Sequence, residues 1–170
     1  MTATVDRGAI APGTHCATPA EMRRVLGHFC TGVTIVTGLP GDEPVGLACQ
    51  SFTSVSLEPP LVLICVAHTS TSWPRIRRTG RFCVNVLADD QQHVSACFGR
   101  SGGDKFADLR WHPTPWGPSI DGVLATVMCD ITETRPAGDH DVVIGHVREL
   151  VTHRVSGPLL FFRGQYGLES

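Results

Sequence analysis

Residues 46–67 read GLACQSFTSVSLEPPLVLICVA, and small or hydroxyl-bearing side chains crowd the first half of this stretch. Ala48, Cys49, Gln50 and Ser51 stand at a strand end, where backbone N–H groups can face the polar edge of a planar ring. Fixed dipoles of that kind stabilise negative charge as it develops on such an edge. Ser54 and Ser56, which flank Val55, and then Ser70 and Ser72 add hydroxyl donors. Arg100 and Lys105 add cations within a glycine-containing loop. A phosphate carries roughly two negative charges and calls for such a convergence of donors and cations. By residue type alone, the same serines also suit turns and helix caps, and the two cations also suit a solvated surface.

Two further positions have chemical potential. His140 lies in Gly138-Asp139-His140-Asp141, where a glycine permits a tight turn and a flanking carboxylate can orient an imidazole. Tyr166 follows Arg163-Gly164-Gln165; it can stack on a flat ligand that Gly164 lets approach, or simply close a barrel. No spacing of His and Cys groups them as metal ligands, and no metal is expected.

The elements that must position these groups are mostly strands. Thr18-Pro19-Ala20-Glu21 predicts a capping box, and Met22, Val25, Leu26 and Phe29 then place one apolar stripe on a helix that Gly32 can end. Residues 33–37 and 45–51 predict a hairpin around the turn signal Pro40-Gly41-Asp42-Glu43. The apolar run 61–67 predicts a buried strand after a Pro-Pro break, and 81–87 another. Residues 72–79 predict a short helix, and Asp90 can cap a further one carrying Val94, Cys97 and Phe98. A loop is expected over 99–121, then strands over 123–134, 141–151 and 158–163. Helices do not alternate with strands, so a mainly β, antiparallel split barrel with a few peripheral helices fits better than a doubly wound parallel sheet.

Bulk properties narrow the function classes. A chain of 170 residues suits one domain, placed at 18–170 after a flexible arm over 1–17. A net charge of −2 speaks against nucleic acid or an anionic membrane as partner. No apolar run reaches a membrane span, and no secretory signal pattern opens the chain. The seven cysteines are scattered without a CxxC pair, which suits reduced thiols in the cytoplasm. No GxGxxG follows a strand and no GxSxG elbow occurs, which speaks against a Rossmann dinucleotide site and a hydrolase elbow.

In order along the chain, FCTGVTIVTG (29–38), the 46–67 stretch, TSTSW (69–73), GRFCVNVLADDQ (80–91), FGRSGGDKF (98–106), AGDHDVVIGHV (137–147) and PLLFFRGQY (158–166) resemble the short-chain flavin reductases. The resemblance covers about residues 20–167. It implies a split barrel that binds FMN or FAD in a groove at a homodimer interface and takes hydride from NADH or NADPH. It further implies that reduced flavin passes to a separate flavin-dependent monooxygenase or halogenase. The implied flavin contacts are residues 48–51, Ser54, Val55, Ser56, Ser70, Ser72, Phe98, Arg100, Lys105, Phe106, Gly164 and Tyr166, with His140 over the ring against the nicotinamide carboxamide. Gln50 stands where relatives carry Asn or Ser. The alternative is a non-catalytic split barrel that holds flavin or haem.

Overall fold

The computed structural model describes residues 16–100 and 102–167; most of the N-terminal arm lies outside them. The capping box forms as its residues predict. The Glu21 N–H donates to the Thr18 hydroxyl, and the Thr18 N–H donates to the Glu21 carboxylate. Helix α1 (Pro19–Leu26) ends against Gly27 rather than at Gly32, which lies in strand β1 (Thr31–Gly32). Among the described residues nothing covers its apolar stripe, and Phe29 is 75% exposed.

Strands β2 (Thr34–Gly38) and β3 (Val45–Cys49) form the expected hairpin. The polar segment that follows is itself a strand, β4 (Thr53–Leu57), paired back onto β5 (Pro60–Ala67) through the turn at Glu58 and Pro59. Burial alternates along β5, so only one of its faces enters the core, and the continuously buried strand expected there is corrected. Helix α2 (Trp73–Arg78) leads into β6 (Arg81–Val86). Helix α3 (Gln92–Phe98) follows a 3-10 turn over Asp89–Gln91. Asp90 does not cap it, because its carboxylate is taken by Arg154. The long loop contains a small ribbon of β7 (Trp111–His112) and β8 (Ser119–Ile120). Two long strands, β9 (Ala125–Ala137) and β10 (His140–Thr152), then form the largest hairpin, and β11 (Leu160–Phe162) and β12 (Gln165–Tyr166) end the described chain.

The main sheet is antiparallel throughout, in the order β3-β2-β6-β9-β10-β5-β4. It curls until its edge strand β3 comes back towards β5. No ladder closes that seam; the Ser51 hydroxyl does, donating to the Cys65 carbonyl at 3.0 Å and accepting from the Cys65 N–H at 2.7 Å. This is a mainly β split barrel. Val36, Ile64, Phe82, Val84 and Val143 fill its interior. On the outer side of β2, Val33 and Ile35 pack with Leu87, Val94, Phe98 and Leu159 in a second core. Gly46 exists for that second core. A Cβ there would stand 2.5 Å from the Phe98 ring, well inside contact distance.

Asn85, fully buried, ties the two layers together. Its amide nitrogen donates towards the carbonyls of Ile35 and Pro118, and its carbonyl accepts from the Ile120 N–H at 2.8 Å.

Burial pushes the Cys83 and Cys129 thiols up to about 12. An unfolded thiol ionises near 8.5. The folded value is the higher one, so the stability it contributes is complete below that unfolded value and fades as pH rises towards about 12. We therefore expect the urea midpoint to decline from about pH 9 upward, with a shallower decline in Cys83→Ala. Equal slopes for the two proteins would exclude the thiol as the cause.

Candidate functional site

The open seam of the barrel is a groove. Its floor is the end of β3, an edge strand that pairs with β2 alone. Alternate N–H and C=O groups along its other side therefore have no ladder partner. The groove has a volume of about 490 Å³, within the range of small-molecule sites. Residues 47–51 and 65–67 form its base, Ser70 and His140 one flank, and Ser95, Phe161 and Tyr166 the other.

Sequence expectation and structure agree for most of the ring end. Ala48, Cys49, Gln50 and Ser51 do line the groove, but not all through their side chains. The Cys49 side chain is buried in the barrel core, where desolvation raises its thiol pKa. The Ser51 hydroxyl is engaged with Cys65 in closing the seam. What these two offer a ligand is backbone and small bulk.

His140 begins β10 at the groove mouth, its side chain 43% exposed. Its Nδ1 lies 2.7 Å from the Asp139 carboxylate, so the flanking acid does orient the ring. That contact holds the Asp139 carboxyl below the usual carboxylate range. Strand alternation turns the next residue, Asp141, away from the groove. Its buried carboxylate accepts from Trp73 Nε1 at 3.2 Å and pairs with His68 Nε2 at 3.1 Å. One side chain thus clamps the loop between β5 and α2 onto the strand that carries His140. The DHD pattern contained that signal in part, because consecutive strand residues put His140 and Asp141 on opposite faces of β10.

The loop so clamped forms the other end of the site. A continuation of the groove, about 190 Å³, is lined by Thr69, Ser70, Thr71, Ser72, Arg100 and Lys105 beside Ala48 and Phe98. Ser70, not Ser72, caps α2, accepting from the Trp73 N–H at 3.2 Å. Thr69 and Thr71 line this end beside the two serines expected there and carry the same donor group. Lys105 Nζ donates to the Phe98 carbonyl at 3.1 Å, and partial burial lowers its pKa.

Several candidates lie elsewhere. Ser54, Val55 and Ser56 belong to the outer edge strand β4 and line neither part of the groove. The polar stretch was continuous in sequence, but a hairpin carries its second half round the sheet edge. Phe106 is a core residue in edge-to-face contact with Phe98 at 5.0 Å, and Phe98, itself buried, lines the 69–72 end of the groove. Gly164 sits with Arg163 at positive φ in the β11–β12 turn, where it shapes the hairpin and does not line the groove. Tyr166 stands between the terminal hairpin and α3. It packs on Phe161 at 5.2 Å, its hydroxyl lies 3.0 Å from that of Ser95, and its ring walls the groove. Ser95 and Phe161 were missed, because helix and terminal strand meet there only in three dimensions.

Among the described residues no group of three or more His, Cys, Asp or Glu could hold a metal ion. Among them, too, no helix is long and apolar enough to cross a membrane.

A flat ring with a phosphate-bearing tail fits this shape: an apolar slot with an unpaired strand edge, then hydroxyls and cations at one end. Comparison with known proteins agrees. A family model described as a flavin reductase like domain matches residues 26–169. The chain is 48% identical over 171 residues to the reductase subunit HsaB of a flavin-dependent monooxygenase from Rhodococcus jostii, covering 99% of this chain and 87% of that one. A crystal structure of a nitrilotriacetate monooxygenase component B homologue from Mycobacterium thermoresistibile superposes with a TM-score of 0.84 at 52% identity, over 87% of this chain and 84% of that one. The NADH:FAD oxidoreductase SgcE6 of Streptomyces globisporus, solved with NAD and FAD fragments, gives a TM-score of 0.84 at 34% identity, over 92% and 98% of the two chains.

Proposed function

The chain belongs to the flavin reductase-like family, and from that premise we propose that it is the reductase half of a two-component system, reducing FMN or FAD with NADH for release to a separate monooxygenase. It is an oxidoreductase, and the observation that carries the assignment is the groove, with an open strand edge as floor, cations at one end and an acid-oriented histidine at its mouth. When bound, flavin supplies the hydride acceptor and the nicotinamide the donor. The protein binds, orients and excludes water.

The free N–H groups along β3 orient the polar edge of the ring and stabilise charge arriving there. The hydroxyls of the 69–72 loop, with Arg100 and Lys105, hold the phosphate. His140, positioned by Asp139, contacts the nicotinamide carboxamide and sets the dinucleotide over the ring. No side chain need form a covalent bond. The test is anaerobic mixing of the purified protein with NADH and free FMN or FAD, followed by the near-ultraviolet absorbance of NADH. Flavin-dependent oxidation is expected, and its absence with every pairing overturns the proposal.

His140→Ala is expected to raise the NADH KM about ten-fold while leaving the flavin KM within two-fold. Equal effects on both substrates would remove His140 from the nicotinamide side.

The same reading makes the protein a homodimer. The Arg163 N–H donates to the Gly27 carbonyl, so the uncovered stripe of α1 adjoins the hairpin carrying Tyr166. A second copy over that stripe removes a clustered apolar patch from water and completes the groove wall. A sedimenting particle of 18.3 kDa overturns the pairing. Free cysteines, three of them buried, suit a reducing cytoplasm.

A further inference from the structure

Strand alternation puts Asp141 on the core-facing side of β10, in line with Val143, where burial ordinarily selects an apolar side chain. A buried carboxylate is no asset to stability there, since a well-packed apolar residue of similar volume serves as well or better. What the carboxylate does, and an apolar residue cannot, is hold several groups at fixed positions. One of its oxygens lies 3.1 Å from His68 Nε2. The other accepts from Trp73 Nε1 at 3.2 Å, with the Arg77 guanidinium 4.0 Å away. A main-chain tie runs alongside, the His68 N–H donating to the Asp139 carbonyl at 2.9 Å. We propose that Asp141 is a positioning residue for both substrates, fixing the 69–72 loop that takes the flavin phosphate relative to the His140 that seats the nicotinamide.

The two hydrogen-bond partners bracket that loop. His68 precedes it, and Trp73 follows it as the first residue of α2. Trp73 is packed in the barrel core at 3% exposure, so the carboxylate is anchored to a fixed point. Ser70 tightens the same bracket by accepting from the Trp73 N–H. At the other side of the link, His140 is the residue before Asp141 and faces the groove mouth, so a displacement of one along the backbone carries the other with it. Asp141, His68 and Trp73 line neither part of the groove, and their effect on a ligand must pass through the loop and the histidine. A rigid link between the two half-sites keeps donor and acceptor rings in one relative position, where orientation lowers the barrier most.

The inference rests on the reductase reading above, and its experiment separates the two. The FMN Kd is measured by flavin fluorescence quenching, with the NADH KM and Tm alongside. His68→Ala is the mild variant, because that side chain is 45% exposed and lines no part of the groove. Both the FMN Kd and the NADH KM are expected to rise about five-fold, whereas an ordinary surface pair would move neither. The double variant Asp141→Leu/Trp73→Phe removes a buried donor together with its acceptor and keeps an aromatic ring in the core, so stability is nearly preserved. Its Tm is expected within about 3 °C of the wild type, while the FMN Kd and the NADH KM each rise about ten-fold. Asp141→Asn can still accept from Trp73 and should fall between the wild type and the double variant. Changes confined to Tm overturn the inference, and so does a rise for one substrate alone. If the double variant does not fold, His68→Ala decides by the same two readouts. If the wild-type protein does not oxidise NADH with FMN or FAD, the reductase reading itself fails and this inference falls with it.

Discussion

Lys105→Glu is expected to raise the flavin KM about 100-fold while kcat at saturating flavin falls far less. Lys105 is the only lysine in the chain, and it lies at the 69–72 end of the groove. Its ammonium is held in place by the Phe98 carbonyl at 3.1 Å and stands 5.9 Å from the centre of the Phe98 ring. A charged hydrogen bond to phosphate contributes about 2 kcal/mol, and placing a carboxylate there adds about 1 kcal/mol of repulsion, together about 100-fold in affinity. The interaction is the same before and during hydride transfer, so its loss appears in KM. Lys105→Arg should recover most of the affinity, because it restores the charge. If the lysine is merely a solvated cation, the reversal changes KM less than about three-fold, as surface charges do. Steady-state kinetics across a flavin series at fixed NADH separates these outcomes.

Asn85→Ala is expected to destabilise the protein by about 3 kcal/mol and lower its Tm by roughly 10 °C. Asn85 is fully buried, and its side chain is the one link that accepts from Ile120 while donating to both β2 and the loop before β8. Alanine leaves the Ile120 N–H and the Pro118 carbonyl without that partner and opens a void besides. The Thr37 hydroxyl still donates to the Pro118 carbonyl at 2.7 Å, which limits the loss on that side. Asn85→Asp preserves the acceptor for Ile120 but buries a charge, so it should be no better. Thermal unfolding and urea titration give the size of the effect. A loss below about 1 kcal/mol would mean that packing and the remaining hydrogen bonds hold the ribbon without Asn85.

Local chemistry made much of this protein legible before its fold was known. The α1 capping box needs only four consecutive residues, and it forms as written. The β2–β3 hairpin announces itself through turn residues between two strand-like runs, and it forms. The orientation of His140 by its neighbouring carboxylate is likewise a property of adjacent positions. Family resemblance, carried by short motifs in order, identified the chemistry, and the groove accommodates it.

Tertiary structure decided everything that depends on which face of a strand a residue occupies. Cys49 and Ser51 belong to the polar stretch by sequence, yet one side chain lies in the core and the other closes the seam. Ser54 and Ser56 share that stretch and leave the groove altogether, because β4 turns back outside β5. Ser95 and Phe161, far apart along the chain, come together on one flank of the groove only through Tyr166, which contacts both. Asn85 shows nothing unusual in sequence and still joins two layers. Short-range hydrogen bonding and periodicity are written in consecutive residues. The pairing of distant strands is settled by the curl of the main sheet, and the seam that forms the groove is its product.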